Sequence, residues 1–186
     1  MPFVTPKTKE IVDAIEHDRG ALLDSVKGLG PRQTDFRPGA DSWSIDDVLH
    51  HLALAEEASV KLLAMFQDRA QKEGIAPDPS PAASVLHSID SVVKSAEDQK
   101  AAAPDRVKPR SRVEAPQALA RLEASRQRIL EGLEALSPRD GSKLAYRHPF
   151  FGELDLYQWL LVGAWHERRH TRQIERIKAS AGFPVT

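Results

Sequence analysis

Apolar residues recur every three to four positions through most of the chain, and this spacing predicts four long amphipathic helices. The predicted helices extend from about Thr8 to Lys27, Ser44 to Lys72, Pro116 to Leu136 and Asp155 to Ser180. No run of alternating β-branched residues predicts a strand. The pattern therefore indicates an all-α protein.

The predicted helix ends carry the residues that stop or start helices. Gly28 and Pro31 follow the first helix, where glycine caps a helix and proline cannot continue one. Ser44 is a good N-cap residue for the second helix, and Asp47, three residues later, can accept a hydrogen bond from its backbone amide. Pro116 suits the first turn of the third helix.

The connection between the second and third helices, residues 74–116, is long and contains six prolines. Within it, Ala82 to Lys100 has weak helical character. Such a crossover allows the two helices that it joins to lie parallel, so the chain fits a four-helix bundle. We expect one domain over residues 1–186, with 74–116 as a long crossover that includes a short helix.

The composition excludes several classes of function. With 26 basic and 27 acidic residues, the chain has no excess charge to attract nucleic acid or an anionic membrane. It contains no cysteine, so it offers no thiol nucleophile and no cysteine ligand for zinc. The chain also has no apolar stretch long enough to cross a membrane and no secretory signal at its start. We therefore expect a soluble, cytoplasmic protein.

Three of the seven histidines are candidates for a metal site. His166 and His170 are four residues apart and stack on the apolar face of the last helix. His51 lies at the edge of the apolar face of the second helix, whereas His50 is predicted to point almost opposite, toward water. An inward-facing pair indicates either hydrogen-bonded core histidines or neutral imidazoles that bind a divalent metal.

The string His166-Glu167-Arg168-Arg169-His170 matches the H-E-x-x-H pattern of zinc proteases. The longer protease signature is absent, because Gln173 and Arg176 stand where it requires glycine and a third histidine. Glu175 is too close to serve as a downstream glutamate ligand. The match does not predict a protease, but Glu167 remains a candidate general base beside a metal.

Other polar residues have two interpretations each. Glu56 and Glu57 could orient a ligand histidine, although solvent-exposed helix charges are the more common case. His148 either lines the mouth of a pocket or is a turn residue. His17 and His87 are predicted to lie on the surface.

Two blocks of the sequence resemble the DinB-like (DinB/YfiT) superfamily. The first resembles the opening of that family's second helix, and the second its closing signature. The residues are Trp43-Ser44-Ile45 with Val48-Leu49-His50-His51-Leu52, then His148-Pro149-Phe150-Phe151-Gly152, Trp159 and His166-x-x-x-His170-x-x-Gln173.

The resemblance implies a four-helix bundle with up-down-down-up connectivity and three histidines that bind a divalent metal. Carried over to this sequence, the ligands are His51, His166 and His170, with His50 as the rival for the first position. The family implies zinc or nickel, and three imidazoles also suit iron or copper.

The resemblance also implies a function. The first hypothesis is a metal-dependent enzyme that transfers a low-molecular-weight thiol to a small electrophile. The second is a metal-dependent hydrolase with metal-bound water as nucleophile and Glu167 as base. The third is a non-catalytic binding or stress protein. The expected partner is a small-molecule substrate, and apolar residues on exposed helix faces also allow a homodimer.

Overall fold

The computed structural model of the protein describes residues 5–94, 96 and 103–185. The four predicted long helices are present, and each begins and ends within two residues of its predicted limits. The α-helices of the described part are α1 (Pro6–Val26), α2 (Pro31–Thr34), α3 (Ile45–Lys72), α4 (Asp90–Lys94), α5 (Ala115–Leu136) and α6 (Leu156–Lys178).

The N-cap predicted for the second long helix is confirmed. The Ser44 hydroxyl accepts a hydrogen bond from the Asp47 amide at 3.2 Å, and the Asp47 carboxylate accepts one from the Ser44 amide at 3.0 Å. Asp155 and Gln158 form the same reciprocal box at the start of α6. These local bonds satisfy backbone amides that have no partner inside the helix.

Helices α3 and α5 run parallel, as the long crossover between them allows and the family resemblance implies. At their first turns, the amide of Ala115 donates a hydrogen bond to Asp46 Oδ1 at 2.9 Å. Near their last turns, Gln67 Nε2 donates to the carbonyl of Gly132 at 3.4 Å.

Helices α1 and α6 are parallel to each other too. Lys7 lies over the ring of Tyr157 at their beginnings, and Lys178 donates to the carbonyl of Ser25 at their ends. Helix α5 runs the opposite way to α1, since Thr8 in the first turn of α1 bonds Ser137 just beyond the end of α5. The bundle is therefore up-down-down-up.

The segments between the long helices differ from the prediction in two ways. A short hairpin pairs β1 (Ala145–His148) with antiparallel β2 (Gly152–Asp155), although no strand was predicted. Each strand has only four residues and no β-branched side chain, so neither carries the pattern by which strands are recognised. In the crossover, the helix expected over 82–100 is reduced to α4, and residues 95 and 97–100 of that prediction lie outside the described part.

The buried apolar residues of the bundle form two clusters, one on each side of a layer of charged side chains. One cluster surrounds Leu63, Phe66 and Leu133, and the other surrounds Leu49, Leu122 and Ile174. No helix in the described ranges has the length and apolar character needed to span a membrane.

Candidate metal centre

Helices α3 and α6 bring together the three histidines that the sequence analysis selected. His51 comes from the second turn of α3, and His166 and His170 come from consecutive turns of α6. The Nε2 atom of His166 lies 3.2 Å from Nε2 of His51 and 3.1 Å from Nε2 of His170. The three candidate ligand atoms all lie within 4.8 Å of one another.

The outer nitrogen atoms show how two of the rings are protonated. His51 Nδ1 is 2.7 Å from the carbonyl oxygen of Val107, in the crossover, and His170 Nδ1 is 2.8 Å from Oε1 of Gln173. Both oxygens can only accept hydrogen bonds, so both Nδ1 atoms carry the proton. The lone pairs therefore reside on the two Nε2 atoms, which face His166.

This arrangement fits a divalent metal. Metal–nitrogen distances of about 2.0–2.1 Å with tetrahedral or octahedral angles require ligand nitrogens roughly 2.9–3.4 Å apart. The two Nε2 separations to His166 fall in this range. Without a cation, converging lone pairs repel one another, and only one proton on His166 Nε2 is available to offset that repulsion. The oxygens that fix Nδ1 are the usual supporting groups of a metal-bound histidine.

The electrostatics of the centre favour neutral imidazoles. Burial lowers the pKa of His51 and lowers the pKa of His166 well below its ordinary value, with further lowering by His170 and His51. Burial, reinforced by His51, lowers the pKa of His170 to about 3. Neutral imidazole is the form that binds metals.

Trp43 covers one side of the three histidines. Its ring centroid lies 5.0 Å from that of His51 and 6.4 Å from that of His170, to which it is nearly parallel. Trp43 precedes the N-cap of α3, so the cap that starts this helix also places the indole. The ring therefore shields the centre from solvent on the side facing the start of α3.

A cavity of about 60 Å³ lies on another side of the centre, between α3 and α6. His166, which is half-buried, forms part of its lining, as do Glu56 and Glu167. This volume accommodates a few water molecules or one small chemical group. The candidate centre is therefore covered by Trp43 on one side and borders this cavity at His166.

A layer of four buried charges lies beside the centre, with one residue from each long helix. We call Arg19, Glu56, Arg126 and Glu167 the charge layer. Arg19 Nη2 contacts Glu56 at 2.8 Å and Glu167 at 2.5 Å. Arg126 contacts the same two carboxylates at 2.9 Å and 3.1 Å. The layer separates the two apolar clusters of the bundle.

Burial and the ion pairs shift the pKa values of the charge layer in opposite directions. Burial raises the pKa of Glu56, although Arg126 and Arg19 oppose the shift. Burial also opposes the charge on Arg126, but Glu167 and Glu56 outweigh it and raise the pKa of this arginine. The ion pairs keep the arginine charged in spite of its burial.

Glu167, the candidate base, belongs to this layer. Its Oε1 accepts hydrogen bonds from Arg19 and Arg126. Its Oε2 is buried and has no hydrogen-bond partner among the described residues. The residue follows His166 directly, and both line the same cavity.

The other polar residues are placed as follows. His50 was predicted to face water but is buried. The crossover covers this side of α3, and the backbone of Ser111 forms a hydrogen bond with the His50 ring. Glu56 was expected in solvent but is buried in the charge layer, whereas Glu57 pairs with Arg121 near the surface. His17 and His87 are exposed, as predicted.

His148 lies at the edge of the same region. It packs against Trp159 and Phe151, with ring centroids 4.7 Å and 4.8 Å away. Burial, with a smaller contribution from Arg106, lowers the pKa of His148 to about 4. His148 ends β1, and its Nδ1 accepts a hydrogen bond from the amide of Phe150 in the turn at 3.2 Å, as the interpretation of a turn residue expects. It also packs against Trp159, which lines the cavity.

Two parts of the site were not found from the sequence. Val107 contributes only a backbone carbonyl, for which a sequence has no signal. The charge layer did have a signal, because Arg19 continues the apolar spacing of Ile15 and Leu22, and Arg126 stands between Leu122 and Ile129 in the same way. Charges inside an apolar stripe on several helices indicate a buried ion network.

Comparisons with known proteins agree with this architecture. The chain is 27% identical over 158 residues to the uncharacterized protein YuaE of Bacillus subtilis (strain 168), an alignment that covers 83% of this chain and 89% of the relative. The crystal structure of TT2238, a four-helix bundle protein, matches with a TM-score of 0.59 at 20% identity and covers 91% of this chain and 98% of that one. At that identity the second match supports the fold alone.

A family model describes the sequence directly. The model of the DinB superfamily matches residues 14–174, which include all four long helices in whole or in large part, the crossover and the three histidines. The resemblance noted in the sequence is confirmed over most of the chain. The protein belongs to the DinB superfamily.

Proposed function

We propose that this protein is a metal-dependent enzyme that acts on a small molecule at the three-histidine centre. The observation that supports the proposal is the convergence of three Nε2 atoms beside a cavity. A purely structural metal site is closed on all sides by protein ligands, whereas a catalytic one keeps open positions. Three histidine ligands, of which His166 borders open space, match the second description.

His51, His166 and His170 would hold the metal. Val107 and Gln173 would keep two of the imidazoles in the tautomer that binds it. A divalent ion in such a site polarises a substrate atom and lowers the pKa of a bound thiol or water molecule. Trp43 would exclude solvent from the closed side, which strengthens electrostatic interactions within the site.

The reaction that we propose is transfer of a low-molecular-weight thiol to a small electrophile. The chain has no cysteine, so the sulfur nucleophile must come from a cosubstrate. Glu167 Oε2 is the buried acceptor next to the cavity, and its role would be to take the thiol proton. The sulfur would then attack the electrophile and displace its leaving group or add across its double bond.

Hydrolysis is the second candidate, because the cavity can hold its nucleophile. A space of about 60 Å³ holds water readily. Glu167 Oε2 would then take a proton from the attacking water molecule. The same residues serve both reactions, so the need for an added thiol distinguishes them.

The metal site is tested by elemental analysis of purified protein. We expect about one divalent ion per chain in the wild type and a loss of that ion in His51→Ala, His166→Ala and His170→Ala. His87→Ala is the matched control, because this histidine is exposed and its ring pairs with Asp90 on the surface. Circular dichroism verifies that each variant is folded. Retention of metal in all three variants would refute the site.

Fluorescence provides an independent measurement of the same site. Ni²⁺ bound to the three histidines would lie near the Trp43 ring, so we expect titration with Ni²⁺ to quench tryptophan emission. Trp43→Phe should remove most of this quenching, although Trp159 and Trp165 remain. Equal quenching in the variant would place the bound ion elsewhere.

The reaction is tested with metal-loaded protein, glutathione and an aromatic halide, in parallel with a nitrophenyl ester in the absence of thiol. Thiol-dependent product that disappears in His166→Ala supports transfer. Ester cleavage without thiol supports hydrolysis. No turnover in either assay by folded, loaded protein argues against an enzyme and favours a binding protein.

A further inference from the structure

Gly163 occupies an unusual position, because it is an exposed glycine in the interior of α6. Glycine destabilises a helix interior relative to alanine. Packing does not require it here, since a Cβ atom built at Gly163 would meet nothing within 4 Å. Gly132 in α5 is the contrasting case, because a Cβ there would lie 2.9 Å from Cδ2 of Leu63. The space beside Gly163 is therefore open rather than filled by a neighbour.

This open space continues into the cavity beside the metal centre. Gly163 lines the cavity together with Ala55 and Ser59 of α3, which have small side chains and are half-buried. Trp159, one turn earlier on α6, also lines this cavity, and so does His166, one turn later. Small residues on facing helices thus leave a cleft that extends from the surface to a candidate metal ligand.

We propose that the cleft between α3 and α6 is the route by which a small molecule reaches the three-histidine centre, and that Gly163 sets the width of the molecule that fits. This inference rests on the proposed function. The substrate would then have a narrow end that passes between Ser59 and Gly163.

Helix geometry explains why a side chain at 163 would narrow the cleft without disturbing the histidines. Gly163 is three residues before His166, about 4.5 Å along the helix axis. Side chains on a helix lean toward its N-terminus. A leucine at 163 would therefore extend toward Trp159 and across the cleft, away from the imidazoles.

The test uses Co²⁺-loaded protein, with imidazole and the wider phenylimidazole as probes. Both probes can bind an open metal position, and the visible absorption of Co²⁺ reports their binding. The variants are Gly163→Leu and Gly20→Leu. Gly20 is the matched control, because it too is an exposed helical glycine with open space around its Cβ position, and it lies outside the cavity lining.

We expect all three proteins to bind Co²⁺ with the same spectrum. Phenylimidazole affinity should fall by about tenfold or more in Gly163→Leu, with a smaller effect on imidazole and no change in Gly20→Leu. Equal phenylimidazole affinity in Gly163→Leu and wild type would overturn the proposed route. Failure of the wild type to bind Co²⁺ would refute the proposed function, and this inference with it.

A second variant keeps the test decisive if Gly163→Leu does not fold. Since the chain has no cysteine, Gly163→Cys introduces a unique thiol that can be alkylated with iodoacetamide in the folded protein before Co²⁺ is added. The alkylated side chain should exclude phenylimidazole as leucine would. Unchanged phenylimidazole binding after complete alkylation, measured by mass spectrometry, would overturn the proposal.

Discussion

The charge layer provides a direct test of how this bundle is held together, through Arg126→Met. Methionine retains the length and apolar body of the side chain and removes its hydrogen-bond donors. Arg126 donates to Glu56 at 2.9 Å, to Glu167 at 3.1 Å and to the carbonyl of Ile15 at 2.8 Å. The substitution would leave two buried carboxylates with Arg19 as their one remaining partner in the layer.

The expected cost follows from burial. The Arg126 side chain is only 8% exposed, so solvent cannot replace the lost donors. Removal of one member of a buried ion pair typically costs about 3–5 kcal/mol, because the remaining charge is left without compensation. For a protein of this size, that is a decrease in melting temperature of roughly 6–20 °C.

The control is Arg121→Met in the same helix. Arg121 forms two hydrogen bonds with Glu57, at 2.8 Å and 2.9 Å, but its side chain is 33% exposed. An ion pair that water can reach contributes only about 0.2–1 kcal/mol. Both variants therefore remove an arginine–glutamate contact between α5 and α3 at different burial, and Arg126→Met also removes the contacts of Arg126 with α1 and α6.

The measurement is urea unfolding followed by circular dichroism, with comparison of the free energy of unfolding at constant slope. We expect the cost of Arg126→Met to be several times that of Arg121→Met. Costs that are equal, or a cost for Arg126→Met below about 1 kcal/mol, would refute the reasoning that burial makes this layer essential to the native packing.

Three further predictions concern the site and its surroundings. Gln173→Leu removes the acceptor for His170 Nδ1, so Zn²⁺ affinity should fall about 10–100-fold in competition with a chromophoric chelator, and unchanged affinity would contradict this role. Burial lowers the pKa of His148 from 6.5 to about 4, so the unfolded chain binds a proton in this range that the folded one does not. The free energy of unfolding of the metal-free protein should therefore decrease as the pH falls from 6.5 to about 4. The slope of this decrease should exceed that of His148→Asn by up to about 1.4 kcal/mol per pH unit. Equal slopes in urea unfolding would exclude this contribution. Gly163→Ala and Gly20→Ala should each increase stability by about 0.4–1 kcal/mol, and a lower melting temperature in either would show that the space there is not open.

The long helices could be predicted because their information is local. Apolar spacing, a serine cap and glycine or proline stops are all encoded within one turn of where they act. The strands of the hairpin could not be predicted in this way, because each has four residues and depends on pairing with the other. The length of the crossover allows α5 to run parallel to α3, and the family resemblance implied that connectivity.

The site was predictable to the extent that it depends on helix periodicity. The spacing of His166 and His170 indicates that they share a face, whereas their convergence with His51 depends on how α3 packs against α6. The crossover accounts for the error at His50, since it covers a helix face that polarity alone assigns to solvent. The Val107 carbonyl that holds His51 comes from the same segment and is invisible to any pattern of side chains.

The charge layer and the metal centre constrain each other through α3 and α6. Glu167 follows His166, and Glu56 follows His51 by five residues, so each helix presents one carboxylate to the layer and at least one imidazole to the centre. Rotation of α6 by one residue would turn Glu167 away from its arginines and His166 away from the other histidines. Apolar contacts alone specify one packing weakly, because hydrophobic cores lose uniqueness before they lose stability. A rotation that leaves these buried charges unpaired is strongly destabilising, so the charge layer favours the arrangement that brings the three imidazoles together.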